Sequence, residues 1–502
     1  MTEEHRAYRV AVIGAGISGL ATAWHLEQEA AAGGIAITCK ILEQSERAGG
    51  KILSETVEAE GEYVVEGGPD SFLAVQKPWG VQLAEAIGLS DHFIGTNEKD
   101  RDVYVVSRGR PTRLPEGVFM LAPTRLTPFL LSPLISIRGK LRMGLDLVIP
   151  RRAGDDDESL GDFVRRRFGN EALDKIGEPL LSGIYSAEVD RQSLLATFPR
   201  FREMEREHRS LIVAMRAGSP SARSGRSTSD PGAQTTALVS TGTPRAPRTA
   251  FISFARGTSE IIRGLLGAVE SSVEYGRAVG AIEPAAGGGY SVHRPGCAPD
   301  SADAVIFATP AFVTADLLDP LDPDSARLLR AIRYVSSGTI SLGYREDASW
   351  ASVFARLKGF GILVPASERR PINAVTWSSV KFPGRAPTGC SLLRVFFGGS
   401  RSPGSMELDD EELVQVVERQ VGEIMGIREQ PLFHRIYRWD RGIPQYDLGH
   451  LDRVATIERS LPRGIYVTGS PYRGIGIPDC ARQAAQTARQ VIRALDRRRG
   501  TQ

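Results

Sequence analysis

Cysteine and histidine are scarce in this chain. Its 502 residues include four cysteines, with no C-x-x-C pair, and seven scattered histidines. This spacing argues against both a disulfide framework and a Cys/His metal site. We therefore expect no bound metal and four free thiols in a reducing compartment. The cysteines are Cys39, Cys297, Cys390 and Cys480.

Long apolar runs and a strong net charge are also missing. No stretch reaches the roughly 18 apolar residues that a transmembrane helix needs, and the nearest one, FLLSPLISI, is broken by Pro133. The first residues, MTEEHRAYR, do not resemble a secretory signal. A net charge of +2 gives no electrostatic reason to bind nucleic acid. We expect a cytoplasmic protein whose membrane contact is at most peripheral, around residues 121–137.

The chain does contain a glycine-rich strand-to-helix turn. The run VAVIGAGISGLATAWHL carries the G-x-G-x-x-G spacing at Gly14, Gly16 and Gly19. After a strand and before a helix, this spacing predicts a dinucleotide site. Gly14 would make the tight turn, Gly16 would leave room for a pyrophosphate at the helix N-terminus, and Gly19 would allow close packing. Glu43 ends the next predicted strand, residues 35–42, and its carboxylate is expected to bind the adenosine ribose, which disfavours NADP.

A second glycine pair follows that strand. The segment QSERAGGKILSE places Arg47, Gly49, Gly50 and Lys51 directly after the predicted ribose-binding residue. A plain NAD dehydrogenase does not need this segment, which suggests a backbone that wraps a longer cofactor. The pattern E-x-x-R-x-G-G-[KR] resembles the flavin amine oxidase superfamily, which implies FAD.

Three further blocks narrow the resemblance. They are EGGPDSFL, LLSGIYSAEVDRQSLLATFP and YVTGSPYRGIGIPDCARQA. Together they resemble the protoporphyrinogen and coproporphyrinogen III oxidase family over nearly the whole chain. This resemblance implies an α/β protein with a two-dinucleotide-binding-fold FAD domain, a mixed α+β substrate domain and a helical lobe.

The composition along the chain divides it into four parts. Residues 217–249 are rich in Ser, Thr, Pro, Gly and Arg and are expected to form a flexible insertion. Residues 73–216 are mostly helical, with a predicted hairpin turn at Gly109. Residues 331–440 are rich in predicted strands. The FAD domain is expected to be discontinuous, comprising residues 1–72, 250–330 and 441–502.

The family resemblance also implies a set of cofactor-binding residues. The first glycine loop is expected to hold the pyrophosphate, and Glu43 the ribose. The second glycine pair and Lys51 would line the cofactor. Gly67, Gly68 and Pro69 would approach the flavin, and Val279 would lie on a strand whose backbone pairs with adenine. The loop residues Gly469, Gly476, Ile477 and Pro478 would close over the pyrophosphate and the isoalloxazine.

The resemblance implies an oxygen-dependent porphyrinogen oxidase of haem synthesis, acting on CH–CH groups. Its substrate would lose six electrons in three rounds, each with hydride transfer to flavin N5, while oxygen is reduced to peroxide. No catalytic side chain is therefore expected. Lys77 and Arg101 are candidate cations for the substrate propionates. A transient contact with a ferrochelatase-type partner is also implied.

Three functional alternatives remain open. Coproporphyrinogen III is favoured as substrate, and protoporphyrinogen IX is the alternative. A flavin oxidase acting on amines or carotenoids is less consistent with the GIYSAEVDRQSLLATFP block. A protein that carries a porphyrin without oxidising it is the third alternative.

Overall fold

The computed structural model describes residues 7–116, 118–119, 121–123, 125–217, 247 and 249–499. Nearly all of the predicted insertion therefore lies outside the described residues. The strands are β1 (Tyr8–Ile13), β2 (Ile37–Leu42), β3 (Ser54–Glu58), β4 (Glu62–Glu66), β5 (Phe72–Leu73), β6 (Phe93–Gly95), β7 (Asp102–Ser107), β8 (Arg110–Arg113), β9 (Val118–Phe119), β10 (Ala122–Pro123), β11 (Phe251–Phe254), β12 (Ser272–Glu274), β13 (Ala281–Pro284), β14 (Tyr290–His293), β15 (Asp300–Ala302), β16 (Ala304–Phe307), β17 (Tyr334–Arg345), β18 (Gly359–Leu363), β19 (Ile372–Trp377), β20 (Cys390–Gly398), β21 (Phe433–Pro444) and β22 (Ile465–Val467).

Helices connect about half of the consecutive strands, and turns or loops connect the others. The α-helices are Ile17–Gly33, Trp79–Ala86, Leu126–Leu131, Ile137–Gly144, Leu160–Phe168, Asn170–Ala172, Gly183–Tyr185, Leu194–Thr197, Pro199–His208, Leu211–Ala217, Ser259–Ala268, Ala311–Leu318, Pro323–Arg330, Ala348–Arg356, Ser378–Lys381, Asp410–Met425, His450–Ser460 and Ile477–Arg499. The shorter 3₁₀ segments are Ser90–His92, Leu145–Leu147, Ala366–Glu368 and Pro403–Met406. Among the described residues, no helix combines the length and apolar character needed to cross a membrane.

A parallel sheet supports the first glycine loop. Its order is β12-β2-β1-β16-β22, with every pair parallel. The apolar sequence of β1 is explained by burial on both faces, as is usual for parallel sheets. Val10 and Val12 pack into the core that contains the first and last helices, whereas Ala11 and Ile13 pack into the core on the opposite face.

The largest sheet in the described part of the chain has seven strands. Its order is β21-β17-β20-β19-β18-β7-β8, antiparallel except for the β18–β7 pair. The predicted hairpin turn is confirmed: Arg108 and Gly109 have φ of 55° and 74° between β7 and β8. The hairpin joins this sheet, however, although its residues were assigned to the helical part of the chain. Parallel pairing with β18, far along the sequence, is what places it there.

The helices between Leu126 and Ala217 enclose a separate apolar core. This part of the chain also contains a π-helix, Leu173–Ser182, with Pro179 inside it. Pro179 cannot donate a backbone hydrogen bond, which is compatible with an irregular helix. Glu178 on this segment forms an ion pair with Arg401, at 3.1 Å, so the π-helix is attached to the segment that follows β20.

A buried ion pair connects β4 with the segment that precedes β20. Glu66 at the end of β4 lies 3.3 Å from Arg385, and both side chains are at most 4% exposed. Glu66 accepts hydrogen bonds from the backbone and the hydroxyl of Thr258, both at 2.8 Å. Arg385 donates to Ser253 Oγ and to the Phe254 carbonyl. Burial raises the pKa of Glu66, and Arg385 opposes that shift.

Candidate active site

The first glycine loop has the geometry that the sequence predicts. Gly14 follows β1 with φ of 101°, in the left-handed region that favours glycine. A Cβ on Gly19 would lie 1.9 Å from the Gly14 carbonyl oxygen, so only glycine allows the helix to approach the strand this closely. Gly16 differs, because a Cβ there would meet no atom within 4 Å. It would project into open space at the helix N-terminus.

The two glycine loops are held together by backbone contacts. Gly49 N donates to the Ala15 carbonyl at 2.8 Å, and Gly16 and Gly49 form an isolated parallel bridge. The Arg47 guanidinium donates to the Gly50 carbonyl at 2.6 Å. The second loop therefore packs against the first, as a shared cofactor site requires, and Arg47 braces the loop's own backbone.

Glu43 lies at the end of β2, beside both loops. It is buried, and its Oε2 accepts a hydrogen bond from Ala15 N at 2.7 Å. Its Oε1 accepts from the amide and the hydroxyl of Ser45. An ionised carboxylate has about four acceptor positions, so it can still accept from a ribose hydroxyl. These contacts fix the orientation of the Glu43 carboxylate before a cofactor binds.

A cavity of ≈530 Å³ runs past these groups. Predicted site residues that line it are Gly14, Gly16, Glu43, Arg47, Gly49, Gly50, Lys51, Pro69, Val279 and Ile477. The remaining predicted cofactor residues do not line it; they are Gly19, Gly67, Gly68, Gly469, Gly476 and Pro478. Gly67 accepts a hydrogen bond from the lining residue Trp439, and each of the others is next in the chain to a lining residue. Val279 lies just before β13 and not within a strand, which differs from the expected strand position.

Lys51 is a cation that lines this cavity, as Arg47 does, but only the Arg47 guanidinium is bonded to backbone carbonyls among the described contacts. Among the described residues, no carboxylate lies within ion-pair distance of its ammonium group. Burial lowers its pKa. Lys51 is half-buried, and an ammonium partly withdrawn from water is more stable with an anion beside it. The diphosphate of a dinucleotide has the required charge, so the donor set of this cavity fits such a cofactor.

The Gly67–Gly68 turn packs against β21, the strand of the large sheet that lines the cavity. A Cβ on Gly67 would lie 2.7 Å from the Tyr437 ring, and one on Gly68 would lie 1.8 Å from the Lys51 carbonyl oxygen. Trp439 Nε1 donates to the Gly67 carbonyl at 2.8 Å. Both glycines are therefore required by close packing.

Two residues near this turn were missed by the sequence analysis. Trp439 lines the cavity, and the buried Arg394 donates to the Gly68 carbonyl while its guanidinium lies over the Phe396 ring. The charged residue in the apolar run SLLRVFFGG was a signal for Arg394. Nothing local distinguishes Trp439, because its role depends on a contact with a distant part of the chain.

Asp70 was also missed, although it directly follows the Gly67–Pro69 turn. Lys381 Nζ lies 2.9 Å from its carboxylate, and Ser71 Oγ donates to it at 2.7 Å. Burial alone would raise the pKa of Asp70, but Lys381 and Arg394 hold it well below its ordinary value. A carboxylate and a lysine are thus fixed together beside the turn.

The two predicted substrate cations are found in different surroundings. Lys77 Nζ lies 2.6 Å from Asp479, at the start of the last helix and next to the loop residues Ile477 and Pro478. Arg101 is two-thirds exposed and pairs with Glu98 at 3.2 Å. The structure does not bring these two cations together, and neither lines the cofactor cavity.

The model of the family of flavin-containing amine oxidoreductases matches residues 17–492. The chain belongs to this family. It is 32% identical over 490 residues to the coproporphyrinogen III oxidase of Bacillus subtilis (strain 168), covering 97% of this chain and 98% of the relative. It is 35% identical over 501 residues to that of Propionibacterium freudenreichii subsp. freudenreichii, with 96% and 90% covered.

Solved structures agree with this membership of the flavin-containing amine oxidoreductases. A protein from Exiguobacterium sp. 255-15, provisionally named a protoporphyrinogen oxidase, superposes with a TM-score of 0.82 at 27% identity, covering 98% of this chain and 99% of the other. Putrescine oxidase bound to putrescine gives 0.66 at 17% identity, with 97% and 99% covered, which shows a shared fold. The chain is an FAD-dependent oxidase of this family.

Replacing Lys51 tests whether its ammonium faces the FAD diphosphate. Lys51→Met keeps an unbranched side chain but removes the charge, so FAD should bind about 10- to 100-fold more weakly, as expected for one charge-assisted hydrogen bond. Lys51→Arg should keep most of the affinity. Titration of the apoprotein with FAD, followed by flavin fluorescence, gives both constants. Equal affinity in Lys51→Met and wild type would contradict the assignment.

Proposed function

We propose that this flavoenzyme oxidises coproporphyrinogen III to coproporphyrin III. The observation that carries the proposal is the match to proteins named coproporphyrinogen III oxidase, at 32–35% identity over almost the whole chain. Protoporphyrinogen IX is the second candidate substrate. It is favoured by 28% identity to the chloroplastic protoporphyrinogen oxidase of Nicotiana tabacum, over 97% of this chain.

The proposed reaction consumes three molecules of oxygen for each porphyrinogen. Three pairs of hydrogen atoms leave the tetrapyrrole, and three molecules of hydrogen peroxide form. FAD, when bound, supplies the two-electron acceptor for each round. The protein's own contribution is to hold the cofactor between the glycine loops and the Gly67–Gly68 turn, and to place the substrate beside it.

The decisive experiment compares the two porphyrinogens with the purified holoenzyme. In air, porphyrin fluorescence should rise fastest with coproporphyrinogen III, and peroxide should appear at three molecules per porphyrin. Without oxygen, either accepted substrate should bleach the flavin absorbance. Turnover of protoporphyrinogen IX alone would refute the substrate choice. Bleaching by an amine and by neither porphyrinogen would refute the porphyrinogen oxidase function itself.

We further propose that Lys77 and Arg101 bind substrate propionates. A charge-assisted hydrogen bond contributes roughly 1.5–3 kcal/mol, so Lys77→Ala and Arg101→Ala should each lower kcat/KM about 10- to 100-fold, mainly through KM. Lys99→Ala is the matched control, because Lys99 is exposed close to Arg101. Unchanged kcat/KM in both variants, with both porphyrinogens, would contradict the assignment.

The Lys77 variant needs one additional measurement. Truncating Lys77 to alanine leaves the buried Asp479 carboxylate without its cation, beside the loop that contains Ile477. The FAD content of each variant should therefore be measured before the kinetics. A fall in kcat/KM with full FAD occupancy is the result expected for a substrate contact, whereas loss of FAD would assign Lys77 to the cofactor loop.

The proposed location is the cytoplasm, with at most peripheral membrane contact. Leu130, Leu131, Ile137, Leu141 and Val148 are each more than half exposed and lie within a short stretch of the helical part of the chain. An exposed apolar cluster is a reasonable site for reversible contact with a lipid surface. Recovery of the enzyme only after detergent extraction of membranes would contradict this location.

A further inference from the structure

The loop over residues 469–476 forms one wall of the cofactor cavity. It connects β22 to the last helix, and Ser470, Pro471 and Ile475 line the cavity. Gly469 and Gly474 have φ of 108° and 118°, so the loop bends sharply at both ends. A loop with this many bends is held in one conformation mainly by contacts to the rest of the protein.

One buried hydroxyl joins the two sides of this loop. Tyr446 Oη donates to the Ser470 carbonyl at 2.6 Å and accepts from Gly474 N at 2.8 Å. Tyr446 is 2% exposed, so bulk water does not compete with either hydrogen bond. The hydroxyl therefore fixes the distance between Ser470 and Gly474, which directly precede the cavity-lining residues Pro471 and Ile475.

The ring of Tyr446 is itself held in place. His450 stacks on it with ring centroids 4.0 Å apart, and His450 Nε2 donates to the Tyr472 carbonyl at 2.8 Å. Burial lowers the pKa of His450 to about 4, despite the opposing effect of this contact, so the imidazole is neutral at physiological pH. Tyr446 and His450 thus bind three backbone groups of the same loop.

The same segment is attached to the helical part of the chain. Ser193 N donates to the Tyr446 carbonyl at 2.8 Å, and Gln445 Nε2 donates to the Tyr185 carbonyl at 2.9 Å. The Tyr185 and Tyr446 rings lie 5.7 Å apart and share a small apolar cluster with Ile475. Contacts therefore run without a break from the helical part through Tyr446 to the cavity wall.

We propose that Tyr446 is a positioning residue that holds the 469–476 loop closed over FAD and couples it to the helical part of the chain. The inference deepens the cofactor site on which the proposed function rests. It does not depend on which porphyrinogen is oxidised, so it can fail or hold independently of the substrate proposal.

The test measures FAD release from the holoenzyme, without any substrate. Tyr446→Phe deletes only the bridging hydroxyl and should speed the rise of free-FAD fluorescence after dilution about 10- to 100-fold. Tyr472→Phe is the matched control: Tyr472 is equally buried in the same loop, but its hydroxyl makes no hydrogen bond to the loop. This variant should release FAD at nearly the wild-type rate.

Hydrogen exchange distinguishes positioning from a general loss of structure. In the Tyr446→Phe holoenzyme, exchange should accelerate in the peptide that contains residues 469–476 and stay unchanged in the helix Asp410–Met425, which does not line the cofactor cavity. Wild-type FAD release, equal release in both tyrosine variants, or acceleration in both peptides would each overturn the proposal.

A second variant covers the case in which Tyr446→Phe does not fold. His450→Phe keeps an aromatic ring against Tyr446 but deletes the donor to the Tyr472 carbonyl. It should speed FAD release several-fold and accelerate exchange in the same loop peptide. An unchanged release rate in this variant would also overturn the proposal.

Discussion

Gly16→Leu should abolish FAD binding and leave the protein folded. Gly16 has φ of −71°, which any residue can adopt, and a Cβ there would touch no protein atom. The substitution therefore costs the folded chain little. A leucine side chain would nevertheless occupy the space in which the diphosphate must approach the helix N-terminus. The purified variant should be colourless, with wild-type circular dichroism.

A second glycine provides the control for this substitution. Gly267 lies in the helix Ser259–Ala268, a Cβ there would also meet no atom within 4 Å, and it does not line the cavity. Gly267→Leu should retain a full equivalent of FAD, measured by flavin absorbance after gel filtration. If Gly16→Leu purifies with the same flavin content, the phosphate assignment of the first glycine loop is wrong.

Arg385→Leu should strongly lower the free energy of unfolding of the holoenzyme. It leaves the Glu66 carboxylate buried without its cation, and breaking a buried pair in this way costs about 3–5 kcal/mol. The shift of the urea unfolding midpoint of the holoenzyme measures the loss. Arg345→Leu is the matched control, because the Arg345–Glu60 pair is exposed and should contribute little.

A double variant tests the reason for this loss. Adding Glu66→Gln to Arg385→Leu removes the uncompensated charge and should recover part of the stability. If the double variant is destabilised by the sum of the two single effects, the carboxylate and the guanidinium do not interact as the structure places them. A midpoint in Arg385→Leu equal to that of wild type would refute the prediction directly.

The parts of the site that the sequence predicted are those set by local rules. A tight turn between β1 and the first helix requires Gly14, and close packing requires Gly19, so both are visible in one short run of sequence. Glu43 follows from its position at the end of the next strand, whose predicted span, 35–42, is close to the observed Ile37–Leu42. Such patterns depend on residues within a few positions of one another.

The parts that were missed depend on contacts between distant residues. The β7–β8 hairpin was recognised from its turn, but its membership of the large sheet depends on β18, more than 240 residues later. Lys77 was expected to face the substrate, and its ion pair with Asp479 could not be inferred from either segment alone. The same holds for Trp439 and Arg394 at the Gly67–Gly68 turn. Local pattern does not determine which distant segments meet.

The order of strands in the parallel sheet has a consequence for biosynthesis. β1 lies between β2 and β16, so one of its edges waits for a partner that the ribosome makes about 290 residues later, roughly 15–60 s at ordinary rates of translation. The cavity also needs Ile475 and Ile477, which are made about 460 residues after β1. The complete cavity for FAD therefore exists only after that segment has emerged from the ribosome. During synthesis the unpaired edge of β1 must be shielded from other chains.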